Sequence, residues 1–193
     1  MKKTRLIIVA VIAIMVVWVI SCYNGLVNGE ETVFNSWANV EAAYQRRADL
    51  IPQLVNTVKG YAKHESSTLE NLVNARAEAT QIKVGIDQLT EQNIRKYQQA
   101  QNAISSGLGR LIAISENYPD LKASENFSEL QAQLEGTENR INESRKKYNE
   151  SVKIFNVKVR KFPNNIVASL FGFERKSEFS AAEGSEKAPE VNF

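Results

Sequence analysis

The N-terminus constrains this chain more than any other part of it. Lys2, Lys3 and Arg5 lead into an unbroken apolar run from Leu6 to Ile20, and no further charge comes before Glu30. As a helix, residues 6–23 would be about 27 Å long at about 1.5 Å per residue, close to the ~30 Å hydrocarbon core of a bilayer. A helix of a soluble core would have to hide this run on every side, because it has no polar face. Trp18 and Tyr23 lie near its end, where aromatic rings favour the headgroup boundary. Residues 1–29 therefore read as a membrane anchor, with the spanning helix at about 6–23.

Two forms of anchor fit. One is an uncleaved signal anchor. The other is a lipoprotein, since Val19-Ile20-Ser21-Cys22 resembles the box before a lipid-modified cysteine in bacterial lipoproteins. Signal peptides usually carry a shorter apolar region, about 7–15 residues, with small residues before the cut. Here the run reaches that limit and Trp18 and Ile20 are bulky, so the uncleaved anchor is preferred and lipidation at Cys22 is the alternative. Glu30 and Glu31 follow the span, and the next cations are Arg46 and Arg47. The positive-inside rule then places the N-terminus in the cytoplasm and the bulk of the chain outside it.

From Val33 onward the apolar period is helical. One heptad phase joins Val33, Trp37, Val40, Tyr44, Ile51, Leu54, Val58, Tyr61, Leu72, Ala75, Ala79, Ile82 and Ile86, with Arg47, Glu65 and Thr68 as polar interruptions. The phase does not slip at Pro52, which suggests one kinked helix; a fresh helix with Pro52 in its first turn is the competitor. Ser67-x-x-Glu70 has capping-box spacing and marks a turn near His64, although one very long helix stays open. After a break at Gly85–Thr90, Ile94, Tyr97, Ile104, Leu108 and Leu111 mark another helix, which Pro119 stops. Asn126-x-x-Glu129 opens a last long helix carrying Phe127, Leu130, Leu134, Ile141, Tyr148, Val152, Phe155, Val159 and Phe162, ended by Pro163. Four amphipathic stripes bury one another best as a bundle. The expected class is all-α: a transmembrane helix followed by an antiparallel four-helix bundle over 30–163. Residues 164–179 form a C-terminal apolar segment, and 180–193 are too polar to offset their ordering entropy and read as a disordered tail.

Reactive constellations are hard to assemble from these residues. The single histidine, His64, has Tyr61 three residues before it, so the paired Glu-x-x-His motifs of di-iron bundles fail. One cysteine cannot make a multi-cysteine zinc site. Gly107-x-Gly109 follows no strand and lacks the third glycine of a phosphate cradle. A balance of 24 Lys+Arg against 22 Asp+Glu gives no basic excess for nucleic acid. The expectation is a non-enzyme without cofactor or metal.

One polar group is out of place. Arg47 falls on the apolar seam, where a guanidinium must be paired to be tolerated. Arg46, Arg47 and Asp49 on the first helix face Glu135, Glu138 and Asn139 on the last as a candidate structural or partner-binding cluster. Asn142, Asn149 and Asn156 recur every seven residues as further partners. The cluster reads as a network fixing helix register, or else as a polar groove for a ligand.

Several stretches together resemble the LemA family: Tyr23-Asn24-Gly25-Leu26-Val27, the segment Tyr44-Gln45-Arg46-Arg47-Ala48-Asp49-Leu50-Ile51-Pro52-Gln53-Leu54-Val55, and Val58-Lys59-Gly60-Tyr61-Ala62-Lys63-His64-Glu65. Glu129 to Ile141, Tyr148-Asn149, Phe162-Pro163 and Leu170-Phe171-Gly172-Phe173 extend the likeness to about residue 175. The resemblance implies an N-terminal anchor on a helical bundle, with no established enzymatic activity and no accepted site residues. It places the protein in a bacterial plasma membrane as a single-pass protein of the cell envelope. The expected role is interaction or scaffolding with a protein partner, and the alternative is a ligand-binding or sensing module in the groove between the first and last helices.

Overall fold

The computed structural model describes residues 2–62, 64–85 and 88–180. Expectations for Ile86 and for residues 181–193 lie outside them. The described residues form helices and no strand: α1 (Lys2–Tyr61), α2 (Ser66–Gln81), α3 (Glu91–Ser115), α4 (Pro119–Lys122), α5 (Glu125–Arg160) and α6 (Asn164–Phe171). The anchor and the first helix of the body are one unbroken element. Its N-terminal part passes by length and hydropathy as a membrane span, and none of that stretch is buried.

From Leu26 onward α1 is buried along a single seam. Val33, Trp37, Val40, Tyr44, Arg47, Ile51, Leu54 and Val58 are all covered. The seam ends one residue off its expected place: Tyr61 is exposed and Ala62 is buried instead. Phe162 also departs from expectation, exposed beyond the end of α5. The contacts show how the helices run. Gly29 meets Phe155, Trp37 meets Tyr148 and Arg47 meets Glu138, so α1 and α5 are antiparallel. Tyr97 packs on both Trp37 and Tyr44, while Gln101 and Ser105 reach Arg47, so α3 runs with α1. On α3, Gly107 lets Leu72 of α2 come close: a Cβ built there would lie 3.0 Å from a Leu72 methyl.

Helix ends differ from the expected caps. The Ser67-x-x-Glu70 box is not used, since α2 starts at Ser66 behind Glu65 with no side-chain cap. At α5, Ser124 holds the cap position and makes no side-chain bond. Thr90 does cap α3, accepting from the Asn93 amide at 3.4 Å, which satisfies one of the free donors of the first turn.

Pro52 lies inside α1, and the reason it is tolerated sits on α2. A proline has no N–H to give the carbonyl four residues back, which here belongs to Ala48. Arg76 fills that vacancy, its Nε donating to the Ala48 carbonyl at 2.7 Å. Arg76→Ala is expected to cost about 1.5–2 kcal/mol, the scale of a hydrogen bond from a charged donor. In a Pro52→Ala background the Ala48 carbonyl regains its helical partner, so the same substitution should cost much less. Urea denaturation of the four chains checks this, and equal costs in both backgrounds would contradict it.

The segment after Pro163 is helix α6, which packs Val167 and Ala168 against Leu26 of α1, with Val19, Cys22 and Phe173 at the margin. Tyr23 meets Phe171 and Phe173 edge-on at 4.9 and 5.6 Å. The other face of α6, Ile166 and Leu170, is exposed. Gly172 closes the helix at φ 76°, a left-handed conformation that favours glycine.

Candidate functional site

The residues singled out around Arg47 do not all converge. Arg47 is 2% exposed, and its guanidinium is enclosed by α3 and α5. Nη1 donates to Ser105 Oγ at 2.8 Å and to Glu138 Oε2 at 3.0 Å. Nη2 donates to the Gln101 carbonyl at 3.0 Å and to Gln101 Oε1 at 2.8 Å. Its Nε, like Trp37 Nε1, finds no hydrogen-bond partner among the described residues. The guanidinium also lies 5.1 Å from the centre of the Tyr44 ring, a favourable cation–π placement. Glu138 remains about half exposed, so the ion pair opens to water at one side.

The other members of the cluster make no hydrogen bond to Arg47. Arg46, Asp49, Glu135 and Asn139 are exposed, and Asp49 instead accepts from Gln45 at 2.7 Å. Gln101 and Ser105, which the seam pattern did not single out, supply most of Arg47's bonds. Beside the pair runs a groove of about 440 Å³ lined by Arg47, Ser105, Gln131, Glu135 and Glu138 over an apolar floor of Leu108 and Leu134. Among the described residues no three His, Cys, Asp or Glu side chains converge as metal ligands would.

The recurring asparagines of α5 serve a different purpose from the one read in the sequence. Asn142 is exposed, and neither Asn149 nor Asn156 touches Arg47. They hold the chain that follows α6. Asn156 Nδ2 donates to the Lys176 carbonyl at 2.8 Å and its Oδ1 accepts from the Lys176 amide at 2.9 Å. Asn149 repeats the pattern on Phe179, at 3.0 and 2.9 Å. The spacing follows from geometry: seven helical residues rise about 10.5 Å, and three extended residues cover about 10 Å. Between these clamps the Ser177 amide donates to the Leu89 carbonyl at 3.1 Å, and Tyr148 Oη donates to the Ser177 carbonyl at 2.8 Å.

Two side chains of this strap are also bound. Lys176 Nζ pairs with Glu30 of α1 at 2.9 Å. Phe179 is 5% exposed, stacked on Trp37 at 5.8 Å, edge-on to Tyr148 at 5.4 Å and beneath the Arg145 guanidinium at 4.8 Å. Apolar composition gave no sign of this order, because main-chain hydrogen bonds supply much of it. The seven-residue recurrence of asparagine was its one visible trace.

Burial raises the phenols of Tyr44, Tyr97 and Tyr148 above their ordinary value, with the charges of Glu41 and Glu178 adding to the effect at Tyr97 and Tyr148 respectively. In the unfolded chain these phenols ionise near pH 10. Their stabilisation is therefore complete below about pH 10 and lost as pH rises beyond it, by about 1.4 kcal/mol per pH unit for each phenol held neutral. Thermal melts between pH 9 and 12 should show the fall, and Tyr148→Phe should make it shallower.

The family profile that describes the LemA family matches residues 36–193. The chain belongs to the LemA family. Among its relatives is Magnetosome protein MamQ of Magnetospirillum gryphiswaldense, 28% identical over 174 aligned residues that cover 81% of this chain and 64% of the relative. Magnetosome protein MamQ 1 of Paramagnetospirillum magneticum is 26% identical over the same shares. Protein LemA of Metamycoplasma hominis is 26% identical over 83% of this chain and 69% of its own length. The chain thus spans just under two thirds of the magnetosome relatives it matches. LemA membership and the apolar start of α1 support a membrane-associated protein of the LemA type.

Proposed function

We propose that this protein is a membrane-anchored scaffold that acts by binding other proteins rather than by catalysis. On this reading its body is an antiparallel four-helix bundle of α1, α2, α3 and α5, standing outside the cytoplasm of a bacterial cell and held by a single uncleaved span. The observation that carries it is the continuity of α1, which joins an unburied apolar segment to the buried seam of the body. A second support is that Arg47 spends its donors inside the protein, as a residue fixing helix register would. The exposed apolar face of α6, beside the end of the span, suits the headgroup boundary.

Crosslinking in intact membranes should give a discrete adduct with another protein, whose yield changes when residues 164–193 are deleted. Adducts of the chain with itself alone, unchanged by that deletion, would overturn the proposal. The form of the anchor has its own test. Cys22 sits within unbroken helix, its thiol donating to Asn164 Oδ1 at 3.3 Å, which favours the uncleaved anchor over lipidation. The expected intact mass of membrane-extracted protein is that of the whole chain; loss of residues 1–21 with a gain in lipid mass would assign the lipoprotein.

The groove beside Arg47 favours a second reading, a small-molecule sensor. Its volume is within the range of ligand sites, and its acid-rimmed apolar floor suits an amphipathic amine. Phenethylamine should then raise the melting temperature of the wild type and not of Gly109→Leu, since Gly109 also lines the groove and a leucine there fills it. Equal melting curves with and without the amine would remove this reading.

A further inference from the structure

The strap over α5 is held in the manner of a bound peptide. Its main chain is read at Lys176, Ser177 and Phe179 by side chains or backbone of other elements. Ser180 is held as well, its carbonyl accepting from Gln98 Nε2 at 3.0 Å. Only two of its side chains are selected: a cation, by Glu30, and an aromatic ring three residues later, by Trp37 and Tyr148. Main-chain bonds that give affinity, with pockets at alternate positions that give specificity, are how extended peptides are recognised at sheet edges and grooves. Here the reader is a helix, and its two asparagine carboxamides present to Lys176 and to Phe179 the donor and acceptor that a neighbouring strand would. Glu178, between the anchors, is exposed, so the groove does not select its side chain.

We infer that this groove is a peptide-binding site for extended segments of a partner protein that carry Lys or Arg and, three residues on, an aromatic residue. Residues 176–180 are its resident occupant, displaced when such a segment binds. The proposal rests on the interaction role above and names the kind of partner it would take. Two features favour an exchangeable occupant over a permanent seal. The main chain does most of the bonding, so a foreign segment with the same two anchors makes the same contacts. Gly172, in its left-handed conformation, separates the strap from α6, so the strap can lift without unwinding a helix that packs on α1. The cost of exchange is competition with a tethered ligand, whose effective concentration is on the order of millimolar for a short linker.

The test uses the full chain in lipid nanodiscs and a fluorescein-labelled peptide with the sequence of residues 174–180. Phe179→Ala removes the aromatic anchor of the resident strap and should expose the groove; this chain should bind the peptide saturably. Wild type should bind it at least tenfold more weakly, because only the fraction with a lifted strap is competent. Adding Asn149→Ala to Phe179→Ala should weaken binding at least tenfold, and a peptide with alanine in place of its phenylalanine should not bind. A chain ending at Arg175 serves as a second open form should Phe179→Ala reduce the helical circular dichroism. A folded open form that ignores the peptide, or one that binds it regardless of Asn149 and of the peptide's ring, would overturn the inference. Association of wild type with the Phe179→Ala chain, absent from Phe179→Ala alone, would assign the groove to a second copy and overturn the partner named here. Membrane adducts with another protein would leave the scaffold role standing in either case.

Discussion

Arg47→Ala is expected to destabilise the protein by about 3 kcal/mol. Breaking a buried ion pair costs about 3–5 kcal/mol when the remaining charge stays buried. Here Glu138 is 47% exposed and can recover water, which sets the effect at the low end. What is stranded is the Gln101 side-chain oxygen, which accepts from Arg47 at 2.8 Å; the Gln101 carbonyl keeps Ser105 Oγ as a donor at 3.3 Å. Arg47→Lys should recover only part of the loss, since an ammonium cannot span the fork that reaches α3 and α5 together. Arg46→Ala, one residue away on the exposed face, should change little. Urea denaturation followed by helical circular dichroism compares the three, and equal midpoints for Arg46→Ala and Arg47→Ala would contradict the geometry described.

Trp37→Ala is the other substitution with a large expected effect, about 3–5 kcal/mol, the range for deleting a buried large aromatic side chain. Trp37 is 2% exposed and touches Tyr97, Tyr148 and Phe179 with ring centres 5.2, 5.3 and 5.8 Å away, so α1, α3, α5 and the strap all lose packing at once. The loss should also appear locally. Trypsin cuts after Arg175 and Lys176, and the strap's hydrogen bonds shield those bonds in the intact chain. In Trp37→Ala cleavage there should outpace cleavage elsewhere, and Trp37→Phe should restore most of the protection. Unchanged cleavage in Trp37→Ala would mean that Phe179 does not depend on the indole.

How legible these features were depended on the kind of pattern behind them. Periodicity encodes which face of a helix is covered, so the seam of α1 from Val33 to Val58 and the stripe of α5 from Phe127 to Phe155 could be read directly. The same property made Arg47 conspicuous as a charge on a buried face. Periodicity carries no information on how far one helix slides along another, so Gln101 and Ser105 escaped notice while the exposed Glu135 and Asn139 were grouped with Glu138. The heptad phase across Pro52 suggested a continuous helix, but the guanidinium that replaces the missing amide comes from α2, and no local rule points from Ala48 to Arg76. The strap was the least legible part. Lys-Ser-Glu-Phe lacks the apolar content by which buried segments are recognised, and its order depends on two asparagines that made equal sense as partners for Arg47.

The unbroken course of α1 ties the azimuth of the body to that of the apolar N-terminal stretch. With about 100° of turn for each helical residue, one residue added between Gly25 and Gly29 would swing the strap groove a quarter of the way round the axis and tear α6 from its footing on Leu26. In a membrane each copy would be free to turn about the bilayer normal, but the angle between the apolar edge of α6 and the strap groove would be the same in all of them, because one rod carries both.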